Sequence, residues 1–162
     1  YYTDTYLPDL SGYYSVSQLG ERFFNEDVSE SFLLYKINDI KVDVDITTDN
    51  DTLKLKFGQK AKISFYIKNN SQFVLKMNSI ELKLPEIIKF VEIDSSCDMK
   101  TPPGIDQGIY MWTAGPYIVE PEKQYVLSFF VQSHMKAEGE IGFRITAGYM
   151  FVDGPKIKVI IE

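Results

Sequence analysis

Between Lys60 and Leu84, apolar and polar residues take turns in two successive runs, and this constrains the fold more than any other feature of the sequence. Ala61, Ile63, Phe65 and Ile67 share one parity and Lys62, Ser64, Tyr66 and Lys68 the other, the period of a strand with one face in the core. Asn69, Asn70 and Ser71 supply turn chemistry, Phe73, Leu75 and Met77 with Ile80, Leu82 and Leu84 form the second run, and Pro85 ends it. The two runs read as the central strand pair of an all-β sandwich.

The same pattern recurs along the chain. Ile40, Val42, Val44 and Ile46 form a strand followed by a turn at Asp49-Asn50-Asp51, and Leu53, Leu55 and Phe57 form a short run ended by Gly58. Ile87 to Ile93 alternates irregularly, as a bulged strand does. Asp94 to Gln107 is the longest loop, and Ile109 to Thr113 reads as a strand. Tyr125, Leu127, Phe129 and Val131 form another. Glu140 to Phe151 is expected as one long strand, with Ile141, Phe143, Ile145, Ala147 and Tyr149 on one face, joined by a hairpin loop at Asp153-Gly154-Pro155 to Lys156–Ile161.

The expectation is an immunoglobulin-like antiparallel β-sandwich of about seven to nine strands over residues 37–162. Residues 1–36 have a different texture, rich in tyrosine and without alternation. Ser15 with Gln18 fits a capping box and Val16, Leu19 and Phe23 fall at helical spacing, so this extension is expected to be part loop and part short helix near 16–24.

Composition excludes several classes of function. A net charge of −6, with lysines scattered singly along the strands, is not a nucleic-acid surface. No apolar run approaches the roughly 20 residues that span a bilayer. Cys97 is the single cysteine, so no intrachain disulfide forms, which fits a reducing compartment. The first residue is Tyr1 and no charged-then-apolar leader follows it, so the sequence reads as part of a longer protein or as a mature product.

Chemistry-bearing constellations are scarce. A catalytic triad would need His134, the one histidine, which lies in a polar loop and reads as an exposed loop residue. One cysteine and one histidine cannot make a structural zinc site. Asp43, Asp45, Asp49 and Asp51 crowd one strand and its turn, but the spacing lacks the glycine and glutamate of a calcium loop, so they read as a wet strand face. No phosphate-cradling glycine loop occurs, because Gly139 and Gly142 bracket a strand start. No catalytic, metal or cofactor site is therefore expected. Asn50-Asp51-Thr52 and Asn69-Asn70-Ser71 are glycosylation sequons, of consequence only in a secreted protein. Aromatic residues reach 14%, and Tyr110, Trp112, Tyr117 and Phe151 fall outside the regular core positions, which makes them the candidates for a partner surface.

The stretch LKLKFGQKAKISFYIKNNSQFVLKMNSIELKLPE at 53–86 resembles the opening strands of β-sandwich modules in large transport protein particle (TRAPP) subunits, in adaptin-type appendages and in bacterial and archaeal surface repeats. EDVSESFLLYKINDIKVDVDI at 26–46 resembles the run from helix into sandwich in the large TRAPP subunits. That resemblance implies a non-catalytic scaffolding module of a vesicle-tethering complex. Such a module would be cytoplasmic and Golgi-associated, bind other protein subunits, and meet membranes only peripherally through the complex. The alternative is a repeat of a secreted or cell-surface protein in adhesion or glycan binding.

Overall fold

A computed structural model of the chain describes residues 43–162. The expected N-terminal extension and its helix lie outside the described residues, as do Ile40 and Val42 of the first expected strand. In chain order the strands are β1 (Val44–Thr48), β2 (Thr52–Leu55), β3 (Lys60–Asn69), β4 (Leu75–Met77) and β5 (Ser79–Lys83). Then come β6 (Ile88–Ile93), β7 (Gly104–Asp106), β8 (Ile109–Trp112) and β9 (Tyr117–Val119). The last are β10 (Gln124–Ser133), β11 (Glu138–Ala147), β12 (Met150–Asp153) and β13 (Ile157–Ile161).

These make a β-sandwich. One layer has the order β1-β3-β10-β6, the other the order β2-β13-β11-β5-β8-β7 with β12 also on β11, and β4 pairs with β9 as a separate ribbon. The inward parity of each long strand is apolar, and burying those faces against each other drives the two layers together. Ile63, Phe65 and Ile67 of β3 and Leu127, Phe129 and Val131 of β10 face Ile141, Phe143 and Ile145 of β11 and Ile157, Val159 and Ile161 of β13, all of them buried. Phe65 stacks on Phe143 of the opposite layer with ring centroids 4.1 Å apart. Phe90 of β6 continues the seam, 5.8 Å from Phe129 and 5.3 Å from Tyr110.

Several local expectations need correcting. β3 and β5 are not partners: β3 lies between β1 and β10, and β5 between β11 and β8. The Asn69-Asn70-Ser71 turn therefore leads out of the first layer into β4, and the chain joins the other layer at β5. The second run is also two strands, because its buried residues change parity between Met77 and Ile80, with Asn78 at the break. Asn78 fixes that break by donating its N–H to the Thr146 carbonyl at 2.7 Å and accepting from the Gly148 N–H at 2.8 Å.

The expected long last strand folds at Gly148, whose φ of 60° opens a turn to β12, so Tyr149 is 76% exposed instead of facing the core. Asp153-Gly154-Pro155 is not a hairpin loop. β12 and β13 both run antiparallel to β11, and the chain only kinks between them, held by the Gly154 N–H on the Phe143 carbonyl at 2.8 Å. Phe57, expected in a strand, sits in the turn after β2 and is 61% exposed. β2 itself pairs with β13 in parallel, whereas every other described strand pair is antiparallel. The irregular alternation of β6 corresponds to a register shift opposite Phe130 and Val131. The long loop after β6 is anchored by Cys97 and Met99, both buried, and its end forms β7, a hairpin with β8.

Candidate functional site

The four aromatics expected at a partner surface are not together. Trp112 is a core residue, 2% exposed, because β8 turns Tyr110 and Trp112 inward and Ile109 and Met111 outward. Its indole N–H is satisfied by the Thr101 carbonyl at 2.8 Å. Tyr110 packs half-buried on Phe90. Tyr117 is half-buried beside Tyr125, and burial raises its phenol pKa. Phe151 alone is open to solvent, at 62% exposure, on the outer side of β12.

The outer face of the larger sheet carries the feature that sequence reasoning missed. A depression of about 330 Å³ crosses it from Ile109 on β8, past Glu81 and Lys83 on β5 and Gly142 and Arg144 on β11, to the kink at Asp153 and Lys156. Apart from Phe143, which faces the core, the lining residues of β5 and β11 have outward parity, and Gly142 among them has no side chain to fill the depression. Lys83 is the register partner of Gly142 on one side. On the other, Ile141 pairs with Ile157, so the next position along the edge sets Lys156 beside the same glycine.

Ion pairs hold the walls. The Arg144 Nε–H donates to Asp153 Oδ1 at 2.7 Å, which holds the guanidinium pKa above and the carboxyl pKa below their ordinary values. The same guanidinium lies 5.5 Å from the centre of the Phe151 ring. Lys156 Nζ is 2.8 Å from Glu140 Oε1, and that hydrogen bond raises its pKa. The result is a slot lined by charges of both signs, with the exposed Phe151 ring next to Arg144 outside its lining.

The other expected sites resolve separately. His134 is half-buried rather than exposed, its N–H bound to the Ile87 carbonyl at 3.0 Å. Asp45 accepts from Asn70 at 2.8 Å and Asp49 from the Tyr66 hydroxyl at 3.1 Å. Among the described residues no three acid, thiol or imidazole groups converge as metal ligands would. The two sequons part company: Asn50 is exposed, while Asn69 is fully buried with its amide donating to the carbonyls of Phe73 at 2.7 Å and Val119 at 2.9 Å.

No protein-family model matches the chain, and no curated protein does. Among solved structures it is similar to the CARDB domain of a Pyrococcus furiosus protein in complex with di-metal ions (TM-score 0.45, 13% identity, 75% of this chain and 88% of that one). It is also similar to a chain of a type I cohesin–dockerin complex from Clostridium thermocellum (TM-score 0.44, 11% identity, 76% and 98%). A third is the S-layer protein SbsC, domains 4 and 5 (TM-score 0.40, 14% identity, 75% and 46%).

The signal that could have found the slot is Gly142, read in the sequence only as the mark of a strand start. Its neighbours Lys83 and Lys156 are far away in sequence and meet it only through strand order.

Proposed function

We propose that the chain is a non-catalytic β-sandwich docking module of a larger protein, binding other protein subunits through the outer face of its larger sheet. The observation that carries this is the slot beside Phe151. An exposed phenylalanine has only two side-chain torsions to order and much area to bury, and Phe151 stands with the Arg144–Asp153 ion pair beside its ring. The core between the layers is filled by aliphatic and aromatic side chains, so chemistry would have to occur on the open face.

A photo-crosslinking residue at Phe151 in the full chain, in its native cells, is expected to give one discrete protein adduct. The same residue at Thr47, exposed on β1 of the smaller sheet, is expected to give none. Equal labelling at the two positions, or none at Phe151, would overturn the reading.

The finer reading is a cytoplasmic, Golgi-associated vesicle-tethering subunit, supported by the pattern of residue types it shares with TRAPP subunits. The exposed sequon at Asn50 favours the rival reading, a secreted or cell-surface module. Intact mass of the native protein separates them: a glycan released from Asn50 excludes the cytoplasmic reading, and an unmodified mass supports it.

A further inference from the structure

We infer that the free edge of β12 pairs with β12 of a second copy of this chain, antiparallel about a two-fold axis, so that the two larger sheets join into one. The inference goes beyond the docking reading: it concerns the backbone at an edge of the sheet, where that reading concerns the outer face. Hydrogen bonding identifies the free groups. In an antiparallel pair, successive residues alternate between bonding their cross-strand partner and turning their N–H and C=O the other way. The Phe143 carbonyl accepts from the Gly154 N–H on the β12 side of β11, and the Thr146 carbonyl accepts from the Asn78 N–H on the β5 side. Arg144 and Thr146 therefore turn their peptide groups toward β5, and their register partners Asp153 and Phe151 turn theirs out to the open side of β12. Among the described residues no strand pairs with that side. Sheet edges are ordinarily guarded against pairing by charge, proline or irregularity. Asp45 stands on β1, Lys54 on β2, and Lys89 with Glu92 on β6 beside its register shift, while β7 follows Pro102-Pro103. β12 reads Met-Phe-Val-Asp, and its one charge is paired with Arg144. It is an unguarded apolar edge with an exposed ring on it.

Self-complementarity selects a second copy as the occupant. Phe151 and Asp153 carry the outward groups of β12, so the register that bonds all of them sets Phe151 opposite the second copy's Asp153 and Val152 opposite its own counterpart on the axis. Every outward N–H then meets a C=O. On the outer face the two Phe151 rings become diagonal neighbours, within reach of covering each other. No like charges stand directly opposite, since each Asp153 faces a phenylalanine and keeps its Arg144. A strand of unrelated sequence would be held by the backbone alone. Edges this short bury less than the roughly 1,200 Å² of a stable interface, so the dimer is weak and reversible. Two chains of net charge −6 also repel each other, and added salt, by screening that repulsion, strengthens the pairing.

Analytical ultracentrifugation and amide hydrogen exchange of the 162-residue chain test this over a range of concentration reaching about 1 mM, where a weak contact is populated. The weight-average mass is expected to rise from the monomer toward the dimer, and to rise further when salt is added. Exchange at the Phe151 and Asp153 amides should slow at least threefold as concentration rises, while that of Ile105 on the β7 edge stays the same. Phe151→Lys, which brings two ammonium groups together across the axis, should leave a monomer with an unchanged melting temperature. Ile105→Lys, also on an exposed edge residue, should dimerise as before. A monomer mass at every concentration, a dimer that survives Phe151→Lys, or exchange at Phe151 and Asp153 that ignores concentration would overturn the inference. A Phe151 adduct to another protein, without a dimer, removes this inference alone. A dimer whose Phe151 adduct is always to a second copy removes the docking reading alone.

Discussion

Asn69 spends its whole side chain inside the protein. Its amide donates to the Phe73 and Val119 carbonyls, and its oxygen accepts from the Ser71 N–H at 3.0 Å and the Ser71 hydroxyl at 2.7 Å, so the end of β3, the crossover and β9 meet on one group. Asn69→Ala would strand these buried partners and is expected to cost roughly 2–4 kcal/mol in urea unfolding, since each orphaned polar group costs about 1–3 kcal/mol. A change within experimental error would mean that water replaces the amide. The same burial keeps a glycan off Asn69 in the folded protein, leaving Asn50 as the acceptor if the chain meets the modifying machinery. Phe65 is the apolar counterpart: fully buried and stacked on Phe143 across the layers, it should lose about 3–5 kcal/mol on Phe65→Ala. An effect near zero would reverse the faces assigned to β3.

At the scale of elements, alternation tells which face of a strand is buried and nothing about which strand lies beside it. That is why β3, β10, β11 and β13 were legible in the sequence while the pairing of β3 with β5 was misjudged: both runs have a buried face, and they meet it from opposite layers. Trp112 was misplaced for a related reason. All four residues of β8 are apolar or aromatic, so period two could not choose a side there. The slot depends on strand order in the same way, since Lys83, Gly142 and Lys156 become neighbours only when β5 and β13 flank β11. Turns are more local, and the β7–β8 connection makes a specific prediction. Gln107 (φ 48°) and Gly108 (φ 80°) both adopt left-handed backbone, the mirror-image turn that matches strand twist and favours asparagine before glycine. Gln107→Asn should raise stability by about 0.5–1 kcal/mol in denaturant unfolding. A loss of stability would show that the glutamine side chain makes a contact worth more than the strain it carries.

For the whole molecule, the ionisable groups define a pH window of stability with two differently built edges. On the acid side Asp94 is held down to about 2 by hydrogen bonds from Lys62 and from the Ser96 N–H and hydroxyl, below its ordinary 3.8. A carboxyl lowered on folding contributes stability that is complete above the unfolded value and disappears as pH falls from about 4 toward 2. Asp153, lowered by Arg144, adds in the same sense. On the alkaline side Tyr125 is pushed up to about 12 by burial, from an ordinary 10.0. Its neutral phenol is favoured in the folded state, so that contribution is complete below pH 10 and is lost as pH rises from 10 to 12, where the unfolded chain ionises first. The Lys62 and Lys156 ammonium groups, raised by Asp94 and Glu140, are likewise lost as stabilising groups on that side. Melting temperature against pH should therefore be flat through the middle range and fall at both ends. Tyr125→Phe should make the alkaline fall shallower, because it deletes the ionising hydroxyl and forfeits only a 3.9 Å contact with the Met99 sulfur, and it should leave the acid edge where it was. Asp94→Asn should make the acid fall shallower and, because it also removes the charge that raises Lys62, should take that lysine's share out of the alkaline edge. If Tyr125→Phe left the alkaline edge unchanged, the lysines and the growing negative charge of the chain would be what unfolds it at high pH.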